Sequence, residues 1–166
     1  MDNIMFCSCG RRATLLKDFR KSMNGCGKIV ATDMSPVAPA LFMADETYLV
    51  PRIDDPSYYE HVLDICEKSK VKAITTLIDP EIEILAKNRE DLLSKGILPL
   101  CPADWTARLC YDKYEMFKYL HDKGVRTILT YNSLEGFKNG LEKGEISFPV
   151  FMKPINGSGS VGIGKV

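Results

Sequence analysis

The sequence has no excess of either charge and no long apolar run. Its 22 lysines and arginines balance its 22 aspartates and glutamates, so it lacks the positive surface that nucleic acids or anionic membranes attract. No apolar stretch approaches the roughly 20 residues of a membrane span, and residues 1–6 lack the pattern of a signal peptide. We therefore predict a cytoplasmic protein with no nucleic-acid partner and no membrane partner.

The sequence also has few cysteines or histidines at the close spacing of metal ligands. The six cysteines include no C-x-x-C pair, and there are only two histidines, His61 and His121, so a structural zinc site is not predicted. Cys7 and Cys9 would lie on the same face of a strand, which would suit metal or redox chemistry. We favour buried, reduced thiols, because a free cysteine behaves as a small hydrophobic residue. No metal ligand is predicted in this sequence.

Apolar runs of strand length alternate with helical patterns along the first two thirds of the chain. The composition, 45% hydrophobic and 27% charged, is typical of a soluble globular protein. The order β-α-β-β-α-β-α predicts an α/β fold, Rossmann-like, with a mostly parallel sheet and helices on both faces. The predicted strands are 4–9, 28–32, 48–50, 71–77 and 97–101, and the predicted helices are 12–24, 102–110 and two that begin at 55 and 79.

Two of these helices begin with an aspartate followed by a proline. Asp55-Pro56 and Asp79-Pro80-Glu81 combine a capping acceptor with proline at the first helical position. The second motif also follows a central strand, where open α/β sheets place ligands. Capping explains it adequately and is the interpretation we prefer. Trp105, the only tryptophan, is predicted to pack, and both histidines are predicted to be solvated.

The pattern changes near residue 112. Asp112-Lys113-Tyr114-Glu115 has the form of a capping box and predicts a helix that runs to Lys123. A strand over 126–131, a helix over 133–143 and a strand over 148–153 are predicted to follow. The sequence thus predicts two domains, a Rossmann-like domain over 1–111 and an incomplete α+β domain over 112–166.

A lysine and a glycine-rich loop end the sequence. Lys153 follows an apolar run, and residues 156–164 contain four glycines and two serines. Glycine lets backbone N–H groups approach an anion closely, and a lysine supplies a point charge, so the segment suits a polyphosphate. A glycine-rich hairpin is the alternative. Only the strand before the loop is complete, so we expect a longer protein or a second chain to complete the fold.

These residues and several upstream motifs resemble the ATP-grasp superfamily, in particular its carbamoyl-phosphate-synthase-like group. The resemblance covers essentially the whole chain. The residues that carry it are Ser8-Cys9-Gly10-Arg11-Arg12, Thr32-Asp33-Met34-Ser35-Pro36, Ala44-Asp45, Val50-Pro51, Ile78-Asp79-Pro80-Glu81, Asp112-Lys113, Pro149-Val150-Phe151-Met152-Lys153-Pro154 and Gly157-Ser158-Gly159-Ser160-Val161-Gly162.

The resemblance implies a pre-ATP-grasp domain followed by the start of an ATP-grasp domain. It implies that ATP and magnesium are cofactors, that a small-molecule carboxylate is activated as an acyl phosphate, and that an amine or ammonia attacks it. It further implies that ATP phosphates contact Lys113, Lys153 and a loop that contains Gly157, Ser158, Gly159, Ser160 and Gly162.

The same resemblance places the adenine-binding hinge and the magnesium ligands downstream of this loop. We therefore expect that this chain alone does not catalyse ligation. A non-catalytic nucleotide-binding or interaction module with a Rossmann-like fold, completed by a partner chain or as a homodimer, is the alternative function.

A second candidate site follows the first strand. The turn Gly10-Arg11-Arg12 precedes a helix, a place that suits an anion, and Asp33 ends the second strand, where dinucleotide folds hold a ribose. The four residues predict a site for an anionic substrate or a nucleotide. A Rossmann-type dinucleotide protein without ligase chemistry is disfavoured because the turn has one glycine instead of three. A surface role for both arginines stays open.

Overall fold

The computed structural model describes residues 2–157 and 159–166, which form two compact units. The first unit ends at Asp104 and the second runs from Trp105 to Val166. The predicted domains, 1–111 and 112–166, stay a prediction. Across the described residues no helix has both the length and the apolarity needed to cross a membrane.

A five-stranded, fully parallel sheet forms the first unit, in the order β3-β2-β1-β4-β5. Its strands are β1 (Asn3–Cys7), β2 (Ile29–Asp33), β3 (Glu46–Leu49), β4 (Val71–Thr76) and β5 (Leu98–Pro99). Its helices are α1 (Ala13–Met23), a 3-10 helix (Pro39–Met43), α2 (Tyr58–Lys68), α3 (Asp79–Lys87), α4 (Arg89–Ser94) and α5 (Asp104–Tyr111), which begins at the last residue of the unit.

Helices cover both faces of this sheet. Alternate residues of β1 enter two separate cores: Met5 packs with residues of α2, α3 and α4, and Phe6 packs with Leu16 of α1 and with the 3-10 helix. A strand with a continuous apolar run is buried on both sides, and all five residues of β1, the polar Asn3 and the four apolar residues after it, are buried. The predicted α/β fold is confirmed.

The two cysteines at the end of β1 do not share a face. Cys7 belongs to one core and Cys9 to the other, because Ser8 between them has a positive φ of 45° and turns the chain. The prediction of a common face is therefore wrong. All six cysteines are free thiols, but Cys26 and Cys110 are exposed, so the predicted burial does not hold for them.

Neither aspartate–proline pair places its aspartate at the cap position. The Asp55 carboxylate accepts hydrogen bonds from the N–H and the hydroxyl of Ser57, at 2.8 and 2.7 Å, and α2 begins only after this turn. Asp79 is itself the first residue of α3, and Ile78 before it makes no side-chain cap. A negative charge in the first turn still favours the helix dipole.

The second unit contains α6 (Lys113–Asp122), α7 (Leu134–Glu142) and a hairpin of β6 (Phe151–Met152) and β7 (Gly164–Lys165). The predicted cap at Asp112 is confirmed, because its carboxylate accepts from the N–H groups of Tyr114 and Glu115 at 2.9 Å. Glu115 does not complete the box; it pairs with Lys118 at 3.1 Å. Trp105 packs on one side, with its ring centroid 6.3 Å from that of Tyr119, and is otherwise 58% exposed.

Two strand predictions fail in this unit. Residues 126–131 form no strand, and Ile128 is 88% exposed; an apolar run forms a strand only beside a partner that satisfies its backbone groups. Conversely, the glycine loop does have a return strand. Val150 and Val166 exchange backbone hydrogen bonds at 2.9 Å, next to the antiparallel pair of β6 and β7.

Candidate functional site

A cleft of about 720 Å³ opens in the first unit at the carboxyl ends of the strands. The loops that follow β1, β2, β3 and β4 line it. The chain order reverses between β1 and β4, and open α/β sheets bind ligands at such a switch point. A volume of this size suits a small molecule, for which about 300–1,000 Å³ is typical.

Asp33 lines this cleft and joins two of its loops by hydrogen bonds. It is 8% exposed, and its two carboxylate oxygens accept from the N–H groups of Gly10 and Ser35, at 2.8 and 2.9 Å. Gly10 has a φ of 51°, which glycine adopts without strain. The carboxylate thus ties the turn after β1 to the loop after β2.

Three arginines line the cleft: Arg11, Arg12 and Arg52. Arg11 and Arg12 are exposed and, among the described residues, have no ion-pair partner. Arg52 pairs with Asp54 at 3.0 Å. Gly10, Arg11, Arg12 and Asp33, which the sequence predicts as one site, therefore come together. Sequence reasoning missed Arg52, whose only signal was its place after a strand end.

Glu81 is a second residue whose environment the sequence did not predict. It is fully buried, and its carboxylate accepts from the hydroxyls of Tyr58 and Thr76. Burial raises the pKa of Glu81, although these donors oppose the rise. Glu81 does lie in the first turn of α3, as the sequence predicts, but its side chain is buried and bonded to Tyr58 and Thr76, which the motif at a helix start does not indicate. Ile78, nearby in the chain, lines the cleft.

We expect the variant Glu81→Gln to change how stability depends on pH. The folded-state pKa of Glu81 lies above its ordinary value of 4.5, so its favourable contribution is complete below that pH and is lost as pH rises through the folded pKa. The stability of the wild type relative to Glu81→Gln should therefore fall with rising pH above 4.5, by at most about 1.4 kcal/mol per pH unit.

Urea unfolding of both proteins across a pH series measures this difference. Glu90→Gln is the matched control, because Glu90 is exposed. A stability difference that does not vary with pH would show that Glu81 titrates as it does in the unfolded chain.

In the second unit, Lys113 lies at the start of the glycine loop. Its Nζ donates to the carbonyl oxygens of Ile155 and Gly157 at 3.1 and 2.7 Å, and its backbone N–H also donates to Ile155, at 3.1 Å. Two of the three ammonium protons are thus used, and the charge is fixed beside the loop. Lys153 is exposed and has no hydrogen-bond partner among the described residues.

The loop is rich in residues of positive φ. Gly157, Gly159, Ser160 and Gly162 have φ angles between 61° and 112°, and three of the four are glycines, which adopt such angles without strain. Ser158, also predicted to bind phosphate, lies outside the described residues. The role of the loop and of Lys113 in binding a polyphosphate stays a prediction. Within the described residues, no group of three or more His, Cys, Asp or Glu side chains could hold a metal ion.

The first unit is a Rossmann-like α/β domain with its cleft at the strand switch point. The family described as PylC-like, N-terminal domain, matches residues 4–100, and the chain belongs to this family. The predicted resemblance to the ATP-grasp superfamily is thereby confirmed. No curated protein matches the chain.

Solved structures share this fold at low sequence identity. The biotin carboxylase domain of 2-oxoglutarate carboxylase from Hydrogenobacter thermophilus is 22% identical with a TM-score of 0.70, over 99% of this chain and 37% of its own. An L-amino acid ligase from Bacillus licheniformis is 20% identical with a TM-score of 0.68, over 100% of this chain and 38% of its own. The N5-carboxyaminoimidazole synthetase from Staphylococcus aureus is 17% identical with a TM-score of 0.68, over 95% of this chain and 39% of its own. The chain therefore spans well under half of each protein.

Proposed function

We propose that this chain supplies the pre-ATP-grasp domain and the phosphate-binding elements of an ATP-dependent ligase that joins a carboxylate to an amine or ammonia. The observation that carries the proposal is the attachment of Lys113 to the carbonyl groups of Ile155 and Gly157. This attachment brings a fixed positive charge and an N–H-rich loop together within one unit. Such a pair can neutralise a polyphosphate without binding adenine.

In this proposal ATP, the two lysines and the glycine loop have separate roles. Bound ATP supplies the phosphoryl group that converts the carboxylate into an acyl phosphate. Lys113 and Lys153 balance phosphate charge, and the backbone N–H groups of 157–162 orient the phosphates and exclude water from them. The matched biotin carboxylase domain is described with magnesium ADP and bicarbonate. We expect the magnesium ligands for this reaction to come from a segment downstream of the loop.

One observation favours the second candidate, a non-catalytic nucleotide-binding or interaction module. Phe151 is 67% exposed in a two-stranded hairpin, and a hairpin of this size is marginal unless something packs on it. A partner chain or a second copy of this chain would cover it. The matched biotin carboxylase domain is described as a dimer, which is consistent with a homodimer.

A titration of nucleotides separates the proposed ligase function from a Rossmann-type dinucleotide protein. We expect ATP to bind this chain and NAD⁺ not to bind, because the Gly10 turn lacks the further glycines of a dinucleotide site. At an ATP concentration of 100 times Kd, the free energy of unfolding should rise by about 2.7 kcal/mol. Lys153→Ala should weaken ATP binding, and Lys143→Ala, which removes an exposed lysine at the end of α7, should not.

Isothermal titration calorimetry gives both affinities, and thermal unfolding gives the stabilisation. Binding of NAD⁺ in place of ATP would assign the chain to the Rossmann-type dinucleotide proteins. Equal ATP affinity in the wild type and in Lys153→Ala would remove Lys153 from the site.

A further inference from the structure

Asparagine is followed by glycine at three places in this chain: Asn24-Gly25, Asn139-Gly140 and Asn156-Gly157. In such a pair the backbone nitrogen of the glycine can attack the side-chain amide carbon of the asparagine, because glycine has no Cβ to block the approach. The reaction needs an accessible N–H group and a backbone that is free to bring the two atoms together. Since the three pairs have the same chemistry, the structure around each of them decides which one reacts.

The pair Asn139-Gly140 is held inside a helix. Both residues belong to α7, and Gly140 is buried. An N–H group inside a helix donates to the carbonyl oxygen four residues before it, so its proton is not accessible to water. A Cβ at Gly140 would collide with the ring of Tyr131, which shows how closely the backbone is packed here. Attack on Asn139 would therefore require the helix to open.

The pair Asn24-Gly25 is held in the turn that ends α1. Asn24 is the residue after the helix and has a left-handed backbone, with φ of 44° and ψ of 43°. The N–H of Cys26 donates to the carbonyl oxygen of Met23 at 2.8 Å, which closes the turn around the pair. Both residues of the pair are exposed, so water reaches them, but the turn restrains the backbone between them.

The pair Asn156-Gly157 is restrained by neither kind of structure. Both residues are exposed and lie outside the helices and strands. Within residues 2–157 and 159–166, the N–H of Gly157 has no hydrogen-bond partner, and the space beside its Cα is open. The Asn156 side chain donates to the carbonyl oxygen of Tyr111 at 3.4 Å, which is longer than an ordinary hydrogen bond. The reacting atoms of this pair are therefore accessible.

The contacts of Lys113 leave the reacting peptide group free. Its ammonium group accepts no bond from this group, because it donates to the carbonyl oxygens of Ile155 and Gly157. These oxygens belong to the peptide groups before and after the one that joins Asn156 to Gly157. The loop is thus attached on both sides of the pair, and the peptide group between the attachments carries the unpartnered N–H.

We propose that Asn156 is a site of spontaneous deamidation. The nitrogen of Gly157 forms a bond to Cγ of Asn156, the bond from Cγ to Nδ2 breaks, and the side-chain nitrogen leaves as ammonia with the proton of the former N–H group. Water then opens the five-membered succinimide ring at either of its carbonyl groups, which produces aspartate or isoaspartate. Water is the co-reactant, and nothing is oxidised or reduced.

The product carries a new carboxylate in the glycine loop, next to the residues that hold Lys113. Isoaspartate also adds one carbon to the backbone of the loop. A carboxylate here opposes the charge of Lys113 and repels a phosphate group. Deamidation should therefore weaken the binding of ATP, and this consequence alone rests on the proposed function.

Peptide mass mapping of the intact chain, incubated at mildly alkaline pH, tests the proposed modification. Trypsin places the three pairs in separate peptides, 22–28, 139–143 and 144–165, and the mass of each peptide shows the replacement of an amide by a carboxylate. The rate at each site in native buffer is divided by its rate in guanidinium chloride. This ratio removes the effect of neighbouring side chains and leaves the effect of the fold.

We expect the ratio to be highest at Asn156 and lower at Asn139 by about tenfold or more, since reaction there requires local opening of the helix. Asn24 should lie between them. A ratio at Asn24 or Asn139 that equals or exceeds the ratio at Asn156 would overturn the proposal, and so would an unchanged mass of peptide 144–165. Asn156→Gln keeps an amide but would need a less favourable six-membered ring, so its peptide should keep its mass.

Calorimetric titration of ATP tests the consequence separately. Asn156→Asp, which has the charge of the product, should bind ATP about two- to fivefold more weakly than Asn156→Gln, as expected for one exposed charge. Equal affinities in these two variants would refute the effect on ATP. If neither variant nor the wild type binds ATP, the proposed function fails, whereas the deamidation is still decided by the peptide masses.

Discussion

Glu81→Ala is expected to lower the free energy of unfolding by about 3–5 kcal/mol. The side chain is fully buried at the carboxyl ends of β1 and β4, so its removal leaves a cavity, which alone costs about 2–5 kcal/mol for side chains of this size. The hydroxyls of Tyr58 and Thr76 lose their common acceptor. Each buried hydroxyl left without a partner adds about 1–3 kcal/mol. The variant also no longer has to bury a carboxyl group, and the desolvation cost that this saves offsets part of the sum.

Urea unfolding followed by circular dichroism, at mildly acidic pH, measures the loss. Glu90→Ala makes the same chemical change at an exposed position and should cost no more than about 0.5 kcal/mol. Tyr58→Phe should cost less in the Glu81→Ala background than in the wild type, because its partner is already gone. A loss below about 1 kcal/mol, or additive effects of the two substitutions, would contradict the buried network.

Lys113→Ala is expected to weaken ATP binding by about tenfold to a hundredfold. A hydrogen bond to a charged group contributes about 1.5–3 kcal/mol, and 1.4 kcal/mol corresponds to a factor of ten. The ammonium group is attached to Ile155 and Gly157, so its loss removes a charge and also releases the start of the loop. Lys118→Ala is the control, because it removes a lysine of the same helix that pairs with Glu115.

Calorimetry measures the affinity, and hydrogen exchange of the 155–157 amides measures the release of the loop. Faster exchange together with unchanged ATP affinity would mean that Lys113 only anchors the loop. Slower or equal exchange would contradict the observed attachment.

Much of the fold was predictable because its signals are local. The apolar run that forms most of β1 and the aspartate cap of α6 depend on neighbouring residues, and both were confirmed. The segment 126–131 has a mixed signal, with Ile128, Leu129 and Tyr131 among polar residues, and no neighbouring strand among the described residues. Its failure shows that a strand is decided by its partner as much as by its own residues.

Of the site residues, too, some could be predicted from local sequence and others could not. Gly10, Arg11 and Arg12 are adjacent in the sequence, and their turn between a strand and a helix indicated an anion site. Glu81 looked like a residue of a helix start, because nothing local indicates that Tyr58 and Thr76 converge on it. Arg52 likewise joins the cleft only through the parallel register of β2 and β3.

The sequence by itself determined the class of fold, the family, the Lys153 and glycine-loop segment, and the arginine turn after the first strand. These follow from periodicity, capping residues and short motifs, which act over a few positions. Only the tertiary structure decided that the glycine loop closes as a hairpin and that Glu81 is buried between two hydroxyls. It also decided that the Asp33 carboxylate accepts hydrogen bonds from backbone N–H groups that line the cleft. Those features depend on which strands become neighbours, and that choice is made by packing across the whole sheet.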